Sequence, residues 1–203
     1  MPKIIPASFK IETEFDGDKI LREMELFARN CYKSEEKVSG IENTYRFVNM
    51  LLHTNKHEGI LDHHIVSVRV ICDRGISLEI VRHRMGAYLQ ESTRYCTNTH
   101  EGEIEVIEIP GLTQDQRYVW ESAMKDSEHY YNTLREFGCS PQIARSVLPN
   151  SLKTEIIMSL NLRSWRNFFR LRCSSNAHPQ MREIAIPLLQ EFKRRIPVVF
   201  NDL

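Results

Sequence analysis

Hydrophobic and polar positions follow two different periods along the chain, and these periods predict both strands and helices. Residues 3–15 alternate loosely and end at Asp16-Gly17, which predicts a strand followed by a turn. Residues 66–70 alternate valine with polar side chains, which predicts a strand with one solvent-facing side. Two further predicted strands cover 103–109 and 154–162.

Apolar residues recur at a helical period in the segments between these strands. Asp18 is the predicted N-cap of a first helix, and a second helix follows over 41–52. Gly75 is predicted to break the strand before it, so that a short helix over 76–81 carries Arg82 at its C-terminal end.

The second half of the chain carries the longer predicted helices. One covers 113–137 and has a predicted buried side made of Gln116, Val119, Trp120, Ala123, Tyr130, Leu134 and Phe137. Ser140 and Pro141 are the cap and first residue of a short helix that ends near residue 149. Ser164 is the predicted cap of the next helix, and a last one covers 179–195 with an interruption at Pro187.

Mixed helices and strands without regular βαβ alternation predict an α+β (irregular α/β) fold, with one mixed-sheet domain over residues 1–203. The chain has no internal repeat and no linker long enough to separate domains. Its eight glycines never occur as Gly-x-Gly, which argues against a Rossmann fingerprint and a P-loop.

The charge balance limits the classes of partner that the protein can attract by its overall charge. Twenty-seven basic and 27 acidic residues give a formal net charge of zero, which argues against a nucleic-acid or membrane partner drawn by a global field. Arginines are twice as numerous as lysines, which favours planar, bidentate contacts with anions, although genomic base composition produces the same bias.

The five cysteines are scattered and form no Cys-x-x-Cys pair, so we predict reduced thiols and no metal site. His53, His63 and His64 resemble metal ligands in type, but the two adjacent rings would point apart in a strand. The N-terminus lacks a long apolar core and no run of about eighteen apolar residues occurs. We therefore expect a cytoplasmic protein.

Two polar segments carry the candidate chemistry. In Arg82-His83-Arg84, guanidinium groups suited to phosphate flank a histidine that like-charge repulsion should keep neutral. In the helix that ends at Arg172, Arg163, Arg166 and Arg170 share one side, whereas Trp165, Phe168, Phe169 and Arg172 share another. Arg172 would then be a partly desolvated cation that needs an anion.

The spacing Arg82-His83-Arg84, seven residues, Ser92, one residue, Arg94 resembles the signature of the flavin-dependent thymidylate synthases. The same family has Asn, Arg, Asn and Arg at the positions of Asn161, Arg163, Asn167 and Arg172. Ala144 to Pro149 is similar to its Ala-Arg-x-x-Leu-Pro segment, and His57-Glu58 to its His-Glu pair. The resemblance covers roughly residues 55–172 and implies the family's non-Rossmann fold.

The resemblance also implies roles for individual residues. It implies cofactor contacts for His57, Arg82, His83, Arg84, Gln90, Asn161, Arg163 and Asn167. It implies nucleotide contacts for Glu79, Arg82, Gln90, Glu91, Ser92, Thr93, Arg94, Arg145 and Arg172, with Arg172 against the uracil ring as the catalytic residue. Ser92 is expected to donate a hydrogen bond rather than act as a nucleophile, because no base lies beside it in the sequence.

The implied reaction is the reductive methylation of dUMP to dTMP. Methylenetetrahydrofolate would supply the carbon, FAD would carry the hydride and NADPH would be the reductant, in a homotetramer whose active sites are shared between subunits. The hard chemistry would belong to the cofactors, with the protein supplying position and electrostatics.

Two positions depart from the family pattern. Leu89 replaces a polar residue, and Glu79 stands where many members have glutamine. These departures keep open a related flavoenzyme that acts on another pyrimidine nucleotide. A non-catalytic RNA-binding protein is a more remote alternative, because the chain is neutral.

Overall fold

The structure is a computed structural model that describes residues 1–38, 40–95, 99–100 and 103–203. For residues 99–100 it describes only the backbone. The strands form two sheets. In the first sheet, β1 (Lys3–Ile5) runs parallel to β6 (Glu103–Ile107), and β5 (Thr99–His100) pairs antiparallel with β6. The second sheet has the order β2-β3-β7-β4, formed by β2 (Ser8–Ile11), β3 (Ile65–Asp73), β7 (Lys153–Asn161) and β4 (Gly86–Gln90).

The single strand predicted over 3–15 is wrong, because β1 and β2 are separate strands in different sheets. Pro6 lies between them and has no N–H to donate to a sheet. The predicted strands at 66–70, 103–109 and 154–162 are confirmed as β3, β6 and β7, with ends shifted by a few residues.

Eight α-helices lie in the described part of the chain. They are α1 (Gly17–Asn30), α2 (Ile41–Asn49), α3 (Arg74–Ile80), α4 (Gln114–Glu136), α5 (Pro141–Ala144), α6 (Leu162–Arg172), α7 (Pro179–Arg195) and α8 (Pro197–Phe200). Short 3₁₀ helices cover Glu35–Lys37, Glu58–Asp62 and Arg145–Val147, and a short π-helix covers Met50–Thr54. Helices together with parallel and antiparallel strand pairs confirm the mixed α+β class.

Three predicted helix boundaries are wrong for the same physical reason. Asp16, Asp73 and Asn161 are the N-caps of α1, α3 and α6, and each side chain accepts from the backbone N–H three residues later. Aspartate and asparagine are strong caps, so they start these helices two to three residues before the predicted Asp18, Ile76 and Ser164. Gly75 consequently lies inside α3 instead of ending the strand.

Contacts within the chain divide it into two compact units. The first unit comprises Met1–Phe9, Arg69–Arg82 and Tyr88–Ile157. The second unit comprises Lys10–Val68, His83–Ala87 and Met158–Leu203. The single domain over 1–203 stays a prediction.

In the first unit, Ile104, Val106, Met124 and Leu152 form an apolar cluster, against which Trp120 packs. Met124 and Tyr131 are the buried residues of α4, so much of its predicted buried side is wrong. Val119, Tyr130 and Phe137 are 67%, 59% and 82% exposed. Tyr130 follows Val119 by eleven residues and the C-cap Phe137 follows Tyr130 by seven, which leaves an apolar stripe on the outside of this helix and its C-cap.

In the second unit, α6, α7 and α8 pack through an aromatic cluster of Trp165, Phe168, Phe169, Phe192 and Phe200, all with at most 1% exposure. The apolar side predicted for α6 is therefore confirmed for Trp165, Phe168 and Phe169. Pro187 does not interrupt α7, which is continuous.

Three further expectations concern cysteines, metals and membranes. Cys31, Cys72, Cys139 and Cys173 are free thiols, and Cys96 lies outside the described residues. Within the described ranges, no three His, Cys, Asp or Glu side chains are grouped as metal ligands would be. Those same ranges contain no helix with the length and apolar character needed to cross a membrane.

Candidate active site

Arg172, the last residue of α6, contacts His83 in the second unit. Its Nε–H donates to His83 Nε2 at 2.9 Å, across 89 residues of sequence. The acceptor role requires a lone pair on Nε2, so this contact fits the neutral imidazole with its proton on Nδ1. The two sequence segments with the most specific pattern therefore meet in one hydrogen bond.

The neutral state of His83 has a cause that the sequence did not identify. Burial is the main reason that the pKa of His83 is lowered to about 4, and the charge of Arg172 lowers it further. The prediction that His83 is neutral therefore agrees with its lowered pKa, but the flanking arginines are not the cause of that shift. Arg82 and Arg84 are both exposed.

The ring of His83 rests on the aromatic cluster of α6. Its centroid lies 5.0 Å from that of Phe168 in an edge-on arrangement. Phe168 in turn lies 5.4 Å from Trp165 and 5.6 Å from Phe169. Because these rings are buried and close-packed, the histidine has a rigid support on one side.

At the start of α6, Asp62 holds two residues that the resemblance assigns to the cofactor. Asn161 donates its Nδ2 to Asp62 Oδ1 at 3.1 Å, and Arg163 pairs with Asp62 Oδ2 at 3.0 Å. Asn161 Oδ1 meanwhile accepts from Ser164 N–H at 2.8 Å, so this amide both caps the helix and is fixed by the carboxylate. The sequence analysis missed Asp62, whose only signal was its place in the turn after His57.

The three arginines predicted to share one side of α6 differ in burial, because Arg163 and Arg170 are exposed and Arg166 is not. Its side chain is buried, and it donates to both carboxylate oxygens of Asp202 and to the carbonyl of Val199. Arg166 therefore anchors the end of the chain to α6. Asn167 is exposed on the same helix.

His57 lines a cavity of about 440 Å³ in the second unit. The other walls are mainly apolar and aromatic, and they are Phe27, Ala28, Cys31, Tyr32, Leu51, Gly59, Ile60 and His63. Planar side chains in a cavity of this size suit an aromatic ligand.

The other histidines of this segment differ from expectation. His63 and His64 do not lie in a strand with rings apart, because both rings approach Phe27, at 5.3 and 5.8 Å. Burial lowers the pKa of His64, with an opposing effect from Glu23. His53 instead contacts the Val198 carbonyl through Nε2 at 2.8 Å.

In the first unit, Gln90 at the end of β4 lies between two buried hydroxyl groups. Its Nε2 donates to Ser77 Oγ at 2.8 Å and to Thr154 Oγ1 at 3.1 Å. Both amide hydrogens are thereby used inside the protein, and the contacts described leave the amide oxygen as the group to offer a ligand. No local sequence pattern indicates Ser77 or Thr154 as partners of Gln90.

Arg145 and the segment 92–94 also come together in the first unit. Arg145 donates its Nη1–H to the hydroxyl of Thr93 at 2.8 Å. Ser92 Oγ accepts from the backbone N–H of Arg94 at 3.2 Å, which shapes a tight turn. The guanidinium of Arg94 lies over the ring of Tyr95, 5.3 Å from its centroid. Two arginines and a hydroxyl-rich turn make a group of donors suited to a phosphate.

Glu91 belongs to an ion-pair network that the sequence did not indicate. Lys153 contacts Glu91 and Glu155 at 3.3 and 2.8 Å, and Arg69 pairs with Glu155 at 3.0 Å. Hydrogen bonds from Lys153 and Arg69 lower the pKa of Glu155. Glu79 lies on α3, and its carbonyl accepts from the backbone N–H of Arg82.

The predicted residues therefore form two groups, each within its own unit. The second unit holds His57, His83, Arg84, Asn161, Arg163, Asn167 and Arg172, and the first holds Glu79, Arg82, Gln90, Glu91, Ser92, Thr93, Arg94 and Arg145. The peptide bond between Arg82 and His83 joins the two groups in sequence.

The comparisons with known proteins agree with the motifs. Residues 17–198 match the family model described as thymidylate synthase complementing protein. A flavin-dependent thymidylate synthase of Geobacter sulfurreducens is 34% identical, over 87% of this chain and 79% of the relative. One from Corynebacterium efficiens is 32% identical, over 97% of this chain and 84% of the relative.

A solved structure supports the fold. The UMP/dUMP methylase PolB from Streptomyces cacaoi, bound with 5-Br dUMP, matches with a TM-score of 0.79 over 98% of this chain and 95% of its own. At 17% identity, that likeness shows the fold alone. The family match and the relatives above 30% identity confirm the resemblance: this chain is an enzyme of the flavin-dependent thymidylate synthase family.

Proposed function

We propose that this chain catalyses the reductive methylation of dUMP to dTMP, with carbon from methylenetetrahydrofolate. The observation that carries the proposal is the hydrogen bond between Arg172 and His83, because it joins the family's two most specific segments in one place. Arg172 would contact the N3–C4 edge of uracil and stabilise the negative charge that develops there.

The first-unit residues would bind the nucleotide. Arg94 and Arg145, with the turn at Ser92 and Thr93, offer donors for its phosphate and sugar. The amide oxygen of Gln90 would accept from a base or sugar N–H or O–H, because both its amide hydrogens are used on Ser77 and Thr154. Arg82, Glu79 and Glu91 complete the proposed contacts.

The proposed cofactor FAD fits the chemistry of the residues available. The side chains expected to hold it are His57, Arg82, His83, Arg84, Gln90, Asn161, Arg163 and Asn167, all guanidinium, amide or imidazole groups without a carboxylate. Such donors suit a pyrophosphate and ring carbonyls, and the cavity at His57 suits a planar ring. A bound flavin would supply hydride transfer, and these side chains would orient it.

NADPH as the reductant follows from the family alone and is tested below. A cytoplasmic location likewise stays a prediction, and cell fractionation would check it.

The proposed homotetramer has support in α4. Val119, Tyr130 and Phe137 form an exposed stripe on the face whose periodicity predicts burial, and a second copy of the chain would cover it. Phe137→Glu should lower the sedimentation coefficient in ultracentrifugation. Glu136→Gln, an exposed neighbour on the same helix, is the matched control.

The reaction is tested by tritium release from dUMP labelled at C5, with FAD, NADPH and methylenetetrahydrofolate present or omitted in turn. Release that needs flavin, folate and reductant supports the proposal. A flavin-binding protein that releases no tritium from dUMP would contradict the substrate assignment and leave the family unaffected.

One observation favours a second candidate, a related enzyme acting on another pyrimidine nucleotide. Leu89, an apolar residue where the family is polar, is 76% exposed at the end of β4. Product analysis with dUMP, dCMP and UMP under the same conditions separates the two candidates.

A further inference from the structure

His83 is assigned to the cofactor by resemblance, but its closest described contact is with the proposed catalytic residue. We infer that His83 is a positioning residue for Arg172, fixing the guanidinium plane through the Nε–Nε2 hydrogen bond. This inference rests on the proposed role of Arg172 and adds a function to the histidine of the motif.

The position of Arg172 explains why it needs such support. It is the last residue of α6, and its C-cap is Cys173. A long side chain at a helix end has many rotamers, and a guanidinium that must meet one edge of a base works only in one of them. A bond to Nε, the nitrogen nearest the chain, fixes the plane in which the two terminal nitrogens lie.

His83 has the features that a fixed acceptor requires. Its ring packs edge-on against Phe168, which is buried among Trp165 and Phe169. Half-buried and next to a cation, it stays neutral at working pH and keeps the Nε2 lone pair.

The neutrality of this partner has a consequence for charge. A carboxylate in the same place would orient the guanidinium but also neutralise it. An imidazole acceptor orients the guanidinium without itself bringing a negative charge to it, and a guanidinium so oriented can act on an anionic transition state. The histidine between two arginines is therefore suited to orienting a third.

The test uses two amide substitutions of similar chemistry and different reach. In His83→Gln the terminal amide reaches the place of Nε2, whereas in His83→Asn it is one carbon shorter. We expect Asn to weaken dUMP binding about tenfold, the loss of one hydrogen bond to a charged group, and Gln to stay within about threefold of the parent. Binding is measured by calorimetry on the flavin-loaded protein.

A double-mutant cycle with Arg172→Ala shows whether the effect passes through the arginine. If it does, His83→Asn has no further effect on dUMP affinity once Arg172 is alanine. If the two substitutions instead lower dUMP affinity independently, the inference is overturned. Equal losses of dUMP affinity in His83→Gln and His83→Asn would also overturn it. Melting temperature and flavin absorbance are recorded for each variant, because a loss confined to flavin affinity also overturns it.

The same data separate this inference from the proposed function. If Arg172→Ala leaves both dUMP affinity and tritium release unchanged, both the proposed role of Arg172 and the inference about His83 are wrong. If Arg172→Ala is inactive while His83→Asn binds dUMP like the parent, the inference alone fails.

Discussion

Two arginines of α6 differ in the groups that hold them. Arg166 is 8% exposed and donates to the carboxylate of Asp202, whereas Arg172 at the end of the helix donates to the neutral ring of His83. The first contact pairs a buried cation with an anion, and the second orients a cation through a neutral acceptor. The difference separates arginines that hold the fold from those suited to an anionic ligand.

The largest expected effect is on catalysis at Arg172. Arg172→Ala should lower kcat/KM for tritium release by about a hundred- to a thousand-fold, the usual loss when one preorganised donor is removed from a developing charge. The melting temperature should change little. Arg170→Ala, an exposed arginine on the same helix, is the control and should keep full activity.

Arg166→Met should have the opposite signature. Loss of the paired guanidinium leaves Asp202 and the Val199 carbonyl without their donor, at a cost of about 2–3 kcal/mol in the free energy of unfolding. Urea unfolding measures this cost. Activity per folded molecule should be retained. A variant that is stable but inactive would contradict the distinction between Arg166, which holds the fold, and Arg172, which serves catalysis.

Arg145 extends the comparison to the first unit, because it too donates to a neutral group. It donates to the hydroxyl of Thr93, so this contact leaves its charge available to a phosphate. Arg145→Ala should raise the Kd for dUMP about tenfold or more with a much smaller effect on deoxyuridine, which has no phosphate. Equal losses for both ligands would exclude a phosphate contact.

Arg163 sharpens the comparison, because it is a proposed flavin residue held by a carboxylate, Asp62. If Asp62 orients Arg163 and Asn161, Asp62→Ala should weaken flavin binding by up to about tenfold, and Asp62→Asn should restore much of it. Fluorescence titration with FAD measures both variants. Tighter FAD binding by both Asp62 variants would mean that Asp62 competes with the flavin for Arg163 and Asn161. Glu191→Gln, which removes a carboxylate from Arg194 and Arg195, is the control.

The smallest expected effect is that of pH on the Arg172 contact. The pKa of His83 is about 4 in the folded protein, below its ordinary value of 6.5, so protons favour the unfolded chain between these values. Its neutral state supports stability above pH 6.5, and that support declines as pH falls toward 4. The ratio of dUMP affinities between parent and His83→Gln should stay constant from about pH 8 to about pH 5. A step near the ordinary pKa would contradict the burial of His83.

The sequence was informative where local chemistry decides the outcome. The periodicity predicted β3, β6 and β7, and it predicted the buried side of α6 because Trp165, Phe168 and Phe169 pack inside the same chain. The same reasoning failed for α4. Its apolar stripe is exposed in a single chain, and periodicity does not tell whether such a stripe packs internally or against a second copy.

The partners of the site residues could not be predicted, because they come from distant parts of the sequence. Asp62 reaches Asn161 and Arg163, and Ser77 and Thr154 reach Gln90, only after the strands have paired. No local pattern marks such residues. Arg166 is a further case, because helical spacing groups it with Arg163 and Arg170 but does not predict its burial beside Asp202.

The length of α6 limits which insertions and deletions this protein can accept. Its 11 residues separate the capping Asn161 from Arg172 by about 16 Å along the axis. Adding one residue would turn Arg172 by about 100° and move it about 1.5 Å, away from His83. Exposed residues on this helix can change in type, but we expect their number to be inherited unchanged.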